Sequence, residues 1–305
     1  MKRLLGKLAR RLPYLKEVFL ERDKFQMNPF LNLVPPGHYY SPIPCLDDIK
    51  AREADFFGNV PKEIAGINLN EDWQIDLFHR LSKYYKEQPF EPHKKGNLRY
   101  FFENDSFGYG DAIILYCMVR FTQPKMVVEV GCGYSSCVIL DTNELSFGNS
   151  IRCTFIDPNP QLFLTLIKDS DRERIEILEK KVQDVDMNRL QELSSGDILF
   201  VDSSHMSKIG SDVNHIFFKI LPALHSGVYI HFHDIFHGFE YPRAWVYKGT
   251  AWNEDYLLRA FLQYNSTFEI QFFNSFFARF HSDELVDKMP LCMKNTGASI
   301  WLRKT

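Results

Sequence analysis

From about residue 105 onward, short apolar runs alternate with helix-length segments, and that rhythm leaves few architectures open. The runs are "KMVVEV" (125–130), "RCTFID" (152–157), "RIEILEKKV" (174–182), "DILFVD" (197–202) and "GVYIHFHD" (227–234). They carry apolar residues on both faces and helices separate several of them, which predicts a parallel sheet covered on both sides. "GDAIILYCMVRF" has a helical period and precedes the first run. "TFEIQFF" (267–273) and "GASIWLR" (297–303) predict two more strands. The segment between them is short and irregular, so this last pair is expected to be antiparallel. Right-handed crossovers then wind a doubly wound α/β, Rossmann-like sheet, with ligands at the carboxyl ends of its strands. Residues 1 to about 104 lack the alternation and are rich in Pro and aromatics. The expected division is a cap of helices and loops over 1–104 and a ligand-binding domain over 105–305.

The chemistry should therefore sit where each run stops. The first run ends in Glu129, then Gly131, Cys132, Gly133, Tyr134, Ser135 and Ser136. Gly131 and Gly133 permit a tight turn and close approach of a ligand, and Ser135 or Ser136 can cap the next helix. Glu129 is the informative residue. A dinucleotide site would place a pyrophosphate here, at a helix N-terminus, and a carboxylate would repel it. A ligand with a cationic amine and no phosphate suits the position, and S-adenosylmethionine is one. Asp157 ends the second run, where an acid holds ribose hydroxyls or simply forms a turn before Pro158. Asp184, or Gln183 beside it, stands where an adenine amino group would be met. Asp202 and His205 follow the fourth run, and His233, Asp234 and His237 end the fifth. Asp202, His233 and Asp234 make a mixed N/O set suited to Mg, Mn, Fe or Zn. Without a metal, His205 or His233 is the candidate general base. His231 is expected to point into a helix layer, outside the site.

With 305 residues, 45% of them hydrophobic, the chain can bury a large core. Its net charge of -3 carries no footprint of a nucleic-acid partner. Six scattered cysteines form no Cys-x-x-Cys pair, so reduced thiols in a cytoplasm are expected. The opening "MKRLLGKLARRLPYLKEVF" sets Leu4, Leu5, Leu8, Leu12 and Leu15 near one helical face among basic residues. Such a helix lies on an anionic membrane surface, making the protein membrane-peripheral, or docks on its own domain or a partner subunit.

The order of these strand ends resembles the class I S-adenosylmethionine-dependent methyltransferases. Within them it is similar to the bacterial branch whose fourth strand ends Asp-x-x-His and whose fifth ends His-Asp. That branch is related to sugar and macrolide O-methyltransferases and to cephalosporin hydroxylase-like proteins. The resemblance covers about residues 105–305 and implies a seven-stranded sheet in the order 3-2-1-4-5-7-6, strand seven antiparallel. It implies that Glu129, Gly131 and Gly133 serve the methionine part of the cofactor, Asp157 the ribose and Asp184 the adenine; Ser135, standing where the pattern often has a third Gly, is counted with the cofactor-binding residues. Asp202 would border the same cofactor. In metal-dependent relatives, positions matching Asp202, His233 and Asp234 hold a divalent ion, although a carboxylate usually stands where this chain has His233. The acceptor implied is a hydroxyl of a small molecule or glycan, with His205, His233 and Asp234 as catalytic residues. A hydroxylase-like enzyme on the same sheet and a non-catalytic cofactor-binding scaffold are the alternatives.

Overall fold

A computed structural model describes Glu17, Val18, Leu20, Arg22 and residues 28–305. The basic segment carrying Leu4, Leu5, Leu8, Leu12 and Leu15 lies outside the described residues. The chain divides into two compact units, one of residues 1–59 with 243–251 and one of 60–242 with 252–305.

The larger unit holds the sheet. Helices α1 (Glu71–Tyr85) and α2 (Tyr109–Thr122) precede β1 (Met126–Val130). Then come α3 (Tyr134–Phe147), β2 (Arg152–Ile156), β3 (Glu176–Leu178), β4 (Ile198–Val201), β5 (Tyr229–His233), α4 (Glu254–Leu262), β6 (Phe268–Phe273) and β7 (Ser299–Lys304). The strands lie in the order β3-β2-β1-β4-β5-β7-β6. β7 runs antiparallel to both β5 and β6, and the other pairings are parallel. The expected fold class and strand order are thus the ones observed.

Each strand is apolar on both faces because helices cover both. Val127, Phe155, Phe200 and Trp301 pack with α2 and α3, while Val128, Val130, Leu199, Phe232 and Ile300 form the core on the other side. α2 is buried from Tyr109 to Val119. This explains why its sequence is apolar all round and lacks a polar stripe.

The expected boundary near residue 104 does not coincide with the observed one, which falls after Asn59. The reason is packing: Leu77, Phe78 and Leu81 on α1 and Phe90, Tyr100 and Phe102 after it belong to the core that covers the sheet. Phe78 packs on Phe277 in a tilted arrangement, with ring centroids 4.5 Å apart. The smaller unit contains short helices Leu46–Ala51, Glu53–Phe57 and Arg243–Tyr247. Within it, Arg243 and Tyr247 both donate to Glu53, and Phe30, Leu33, Tyr39 and Tyr40 are exposed.

Arg99 fastens the segment before α2 to α3. Its Nη1 lies 2.6 Å from Asp141 and its Nε donates to Asp171 at 2.8 Å, all three side chains being nearly inaccessible. Breaking a buried pair from one side leaves carboxylates without a cation. Arg99→Met is therefore expected to cost about 3 kcal/mol in a urea melt, against about 1 kcal/mol or less for the more exposed Arg120→Met. Equal, small losses would show that the network carries no such weight.

Candidate active site

Val130, Val201 and Phe232 lie side by side in register. The residues that follow them, Gly131, Asp202 and His233, therefore emerge together at one edge of the sheet. Gly131 has φ +81°, and a Cβ there would sit 2.0 Å from the main-chain oxygen of Asp202. Only glycine lets β1 turn this close to the end of β4. Gly133 differs: its backbone is extended and a Cβ would meet open space.

The amides of the turn are already engaged. Gly131 N donates to Ile156 O at 2.9 Å, Cys132 N to Asp157 Oδ2 at 3.1 Å, and Gly133 N to Ser136 Oγ at 3.0 Å. Asp157 also accepts from Asn159 N at 2.7 Å, so it is a turn former whose carboxylate still borders the cavity beside the loop.

Glu129 lies beneath this turn and is fully buried. Ser135 Oγ donates to its Oε1, and its Oε2 has no partner. Burial pushes its carboxyl up to about 8; the Ser135 hydroxyl opposes this, and the charges of Asp202 and Asp157 add to it. The negative side chain expected at the mouth of the loop is, in the free protein near neutral pH, mostly a protonated acid below it.

A cavity of about 400 Å³ opens beside the loop, lined by Gly131, Asp157, Gln183, Asp202, Ser203 and Ser211 among others. Gln183, not Asp184, faces it. Asp184 is exposed, on a short 3-10 turn. Gln183 Nε2 donates to Gly210 O at 2.8 Å, and its buried Oε1 is left without a donor. Of the two neighbours expected near a base, Asp184 and Gln183, the turn directs the side chain of Gln183 to the cavity.

At the ends of β4 and β5, His205 and Asp234 have φ +55° and +57°. His and Asp tolerate this region better than most residues, and such values cluster at functional sites. His205 Nε2 is 3.3 Å from Asp202 Oδ1 and 3.6 Å from Asp234 Oδ2. Its Nδ1 is 2.8 Å from Oε2 of Glu254, the first residue of α4. Burial would lower the titration of this ring, but Asp202 and Glu254 prevail and push it up to about 10. Both nitrogens of His205 are thus turned to carboxylates, an arrangement that favours its charged form.

His233 Nε2 lies 3.5 Å from Asp234 Oδ1, and its ring packs against Phe107 with centroids 5.1 Å apart. Burial acts against its proton, yet Asp234 and Asp202 raise its titration above the usual value. Asp234 is itself raised, by burial first, with the two histidines opposing. Asp202 is held below the usual carboxylate range, since the His205 hydrogen bond and the charge of His233 overcome burial. His231 is buried between Phe200 and Trp301, at 3.9 and 4.8 Å, away from the cavity. His237 Nε2 donates to Lys62 O at 3.2 Å, outside this cluster.

Among the described residues no three His, Cys, Asp or Glu side chains converge on a point fit for a metal ion. The expected set of Asp202, His233 and Asp234 does not assemble, because the His205 ring lies between the two carboxylates. Glu254 is the site residue that sequence reasoning missed. It was legible only as an acid at the start of "NEDYLL", and its partner lies 49 positions upstream.

Residues 128–235 match the family model described as a methyltransferase domain. A protein of Archaeoglobus fulgidus with no assigned function is 28% identical over 185 residues, covering 60% of this chain and 83% of that protein. Among solved structures, the O-methyltransferase TomG of Streptomyces achromogenes, in complex with S-adenosylmethionine, is similar at 13% identity and a TM-score of 0.43, over 75% of this chain and 90% of that one. The Podospora anserina methyltransferase PaMTH1, bound to S-adenosylhomocysteine, is similar at 13% identity and a TM-score of 0.41, over 85% and 94%.

Proposed function

We propose that this chain, which carries a class I methyltransferase domain, transfers a methyl group from S-adenosylmethionine to a hydroxyl of a small-molecule or glycan acceptor. The observation that carries the reading is the state of the Gly131–Gly133 turn. Its three amides are already engaged by the protein and its surroundings are acidic. A diphosphate finds no free amide in the turn itself and meets Asp157 and Asp202, with Lys181 and Lys208 farther along the cavity wall; a ligand with an ammonium and a sulfonium meets the charges it needs at the turn.

The residues present fit such a ligand. The unpartnered Oε2 of Glu129 and the open space at Gly133 suit the methionine part, the free lone pairs of Asp157 the ribose, and the orphan Gln183 Oε1 an amino donor on the base. The cofactor supplies an electrophilic methyl on a cationic sulfur. The chain supplies alignment and a place for the acceptor's proton. Asp234 is the group to receive that proton. Part of its side chain is exposed, 18%, whereas both ring nitrogens of His205 face carboxylates. The upward shift of Asp234 makes it a stronger base than an ordinary carboxylate. His233 and His205 hold it in place and favour the charged form that starts the reaction.

Glu129 yields a test that does not need the acceptor. A carboxyl titrating at about 8 is largely protonated at pH 7. An ammonium nearby favours its charged form. Since the free protein binds more protons than the complex, affinity should rise with pH up to about 8. At pH 7 binding of S-adenosylhomocysteine should release close to one proton. Calorimetry in buffers of different ionisation enthalpy reads this directly, and Glu129→Gln should abolish the release. Binding with no buffer dependence would refute the role given to Glu129. Transfer of labelled methyl to extracted small molecules and glycans tests the activity itself, and no labelled product in any fraction would count against it.

A further inference from the structure

We infer that His205 fills the position a divalent cation would need between Asp202 and Asp234, so that a side chain of the protein, fixed by Glu254, balances this acidic pair in place of a metal. The inference rests on the methyltransferase reading above and gives that site a metal-free mechanism.

The geometry turns one ring nitrogen to both carboxylates. A divalent ion shared by two carboxylates needs their oxygens about 2.0 to 2.6 Å from one point. Here Nε2 of His205 faces both carboxylates, 3.3 Å from Asp202 Oδ1 and 3.6 Å from Asp234 Oδ2, a protein cation set where the ion would be drawn. The ring is not free to swing out. Glu254, 1% exposed, holds Nδ1 and also receives Ser203 Oγ at 2.9 Å. The main-chain oxygen of His205 accepts from the amides of Asn253 and Glu254 at the start of α4, at 3.1 and 3.2 Å. The ring packs on Trp252, with centroids 4.3 Å apart. A ring donating from both nitrogens carries a positive charge. Expelling it would leave Glu254 buried without a cation, which is costly. Glu254 is thus a positioning residue that acts through His205. His233 points its Nε2 at Asp234, not at a shared centre.

Titration of the full-length protein with Mn²⁺, followed by electron paramagnetic resonance, tests this. The wild-type protein should bind no Mn²⁺ at millimolar concentrations, and chelator should leave turnover unchanged. His205→Ala opens the space and should gain one bound Mn²⁺ per chain. Glu254→Gln should lower kcat severalfold with KM unchanged, a split that a merely structural role would not produce. Binding of one Mn²⁺ by the wild-type protein, with turnover lost to chelator, overturns the inference. So does a folded His205→Ala protein that gains no Mn²⁺; should that variant fail to fold, the wild-type titration decides alone. Binding of S-adenosylhomocysteine by the same samples reads the cofactor assignment separately, and its absence would sink that assignment whatever the Mn²⁺ result.

Discussion

Gly131→Ala is expected to lower stability by about 4 kcal/mol and to abolish cofactor binding, the stability part combining a left-handed backbone with overpacking. The residue has φ +81°, and the new methyl would sit 2.0 Å from Asp202 O. That oxygen is main chain at the end of β4, so it cannot rotate away as a side chain would. Relief requires β1 and β4 to separate, where Asp202 N donates to Val130 O at 2.8 Å. The urea midpoint should fall with the slope unchanged. Gly133→Ala is the matched control. Its methyl meets open space, so its midpoint should stay near wild type while cofactor affinity falls. The two glycines of one motif would thus separate, one serving the fold and one the ligand. Equal melting of both variants would contradict this division.

Asp234→Asn is expected to lower kcat about a hundred- to ten-thousand-fold, the usual contribution of a general base. Asparagine keeps the shape and also tolerates the left-handed region that Asp234 occupies, φ +57°. The fold and the binding of S-adenosylhomocysteine should therefore survive, and the loss should fall on the chemical step. A variant that keeps full turnover would remove Asp234 from the reaction. The acceptor's proton would then have to go to a group other than this acid.

The covered parallel sheet with its antiparallel end, and the placing of Gly131, Asp202, His233 and Asp234 at one sheet edge, were legible because they follow from local patterning, while the strand order came from the family resemblance. A run such as "MVVEV" is apolar on both faces only when both are covered, and its end is visible in the residues themselves. What escaped depends on distances that only the packed chain defines. Glu129 stands at the end of β1 in the sequence itself, but the upward push on its carboxyl follows from its complete burial beneath the turn. Asp184 and Gln183 are neighbours in sequence, and a single 3-10 turn decides which of them faces the cavity. His205 reads as a candidate base until Glu254 is found against it. The cap boundary near 104 missed that Phe78, Tyr100 and Phe102 belong to the core of the sheet. Aromatic richness alone does not reveal which side of a boundary a segment packs on.

Paired calorimetric titrations of the purified protein, one with S-adenosylmethionine and one with NAD⁺, bear most directly on the chemistry assigned to the Gly131–Gly133 turn. Saturable binding of S-adenosylmethionine at one site, with no binding of NAD⁺, is the predicted result. Saturable binding of NAD⁺, or of neither ligand, would contradict it, and the roles assigned to Glu129, Asp157 and Asp202 would fall with it.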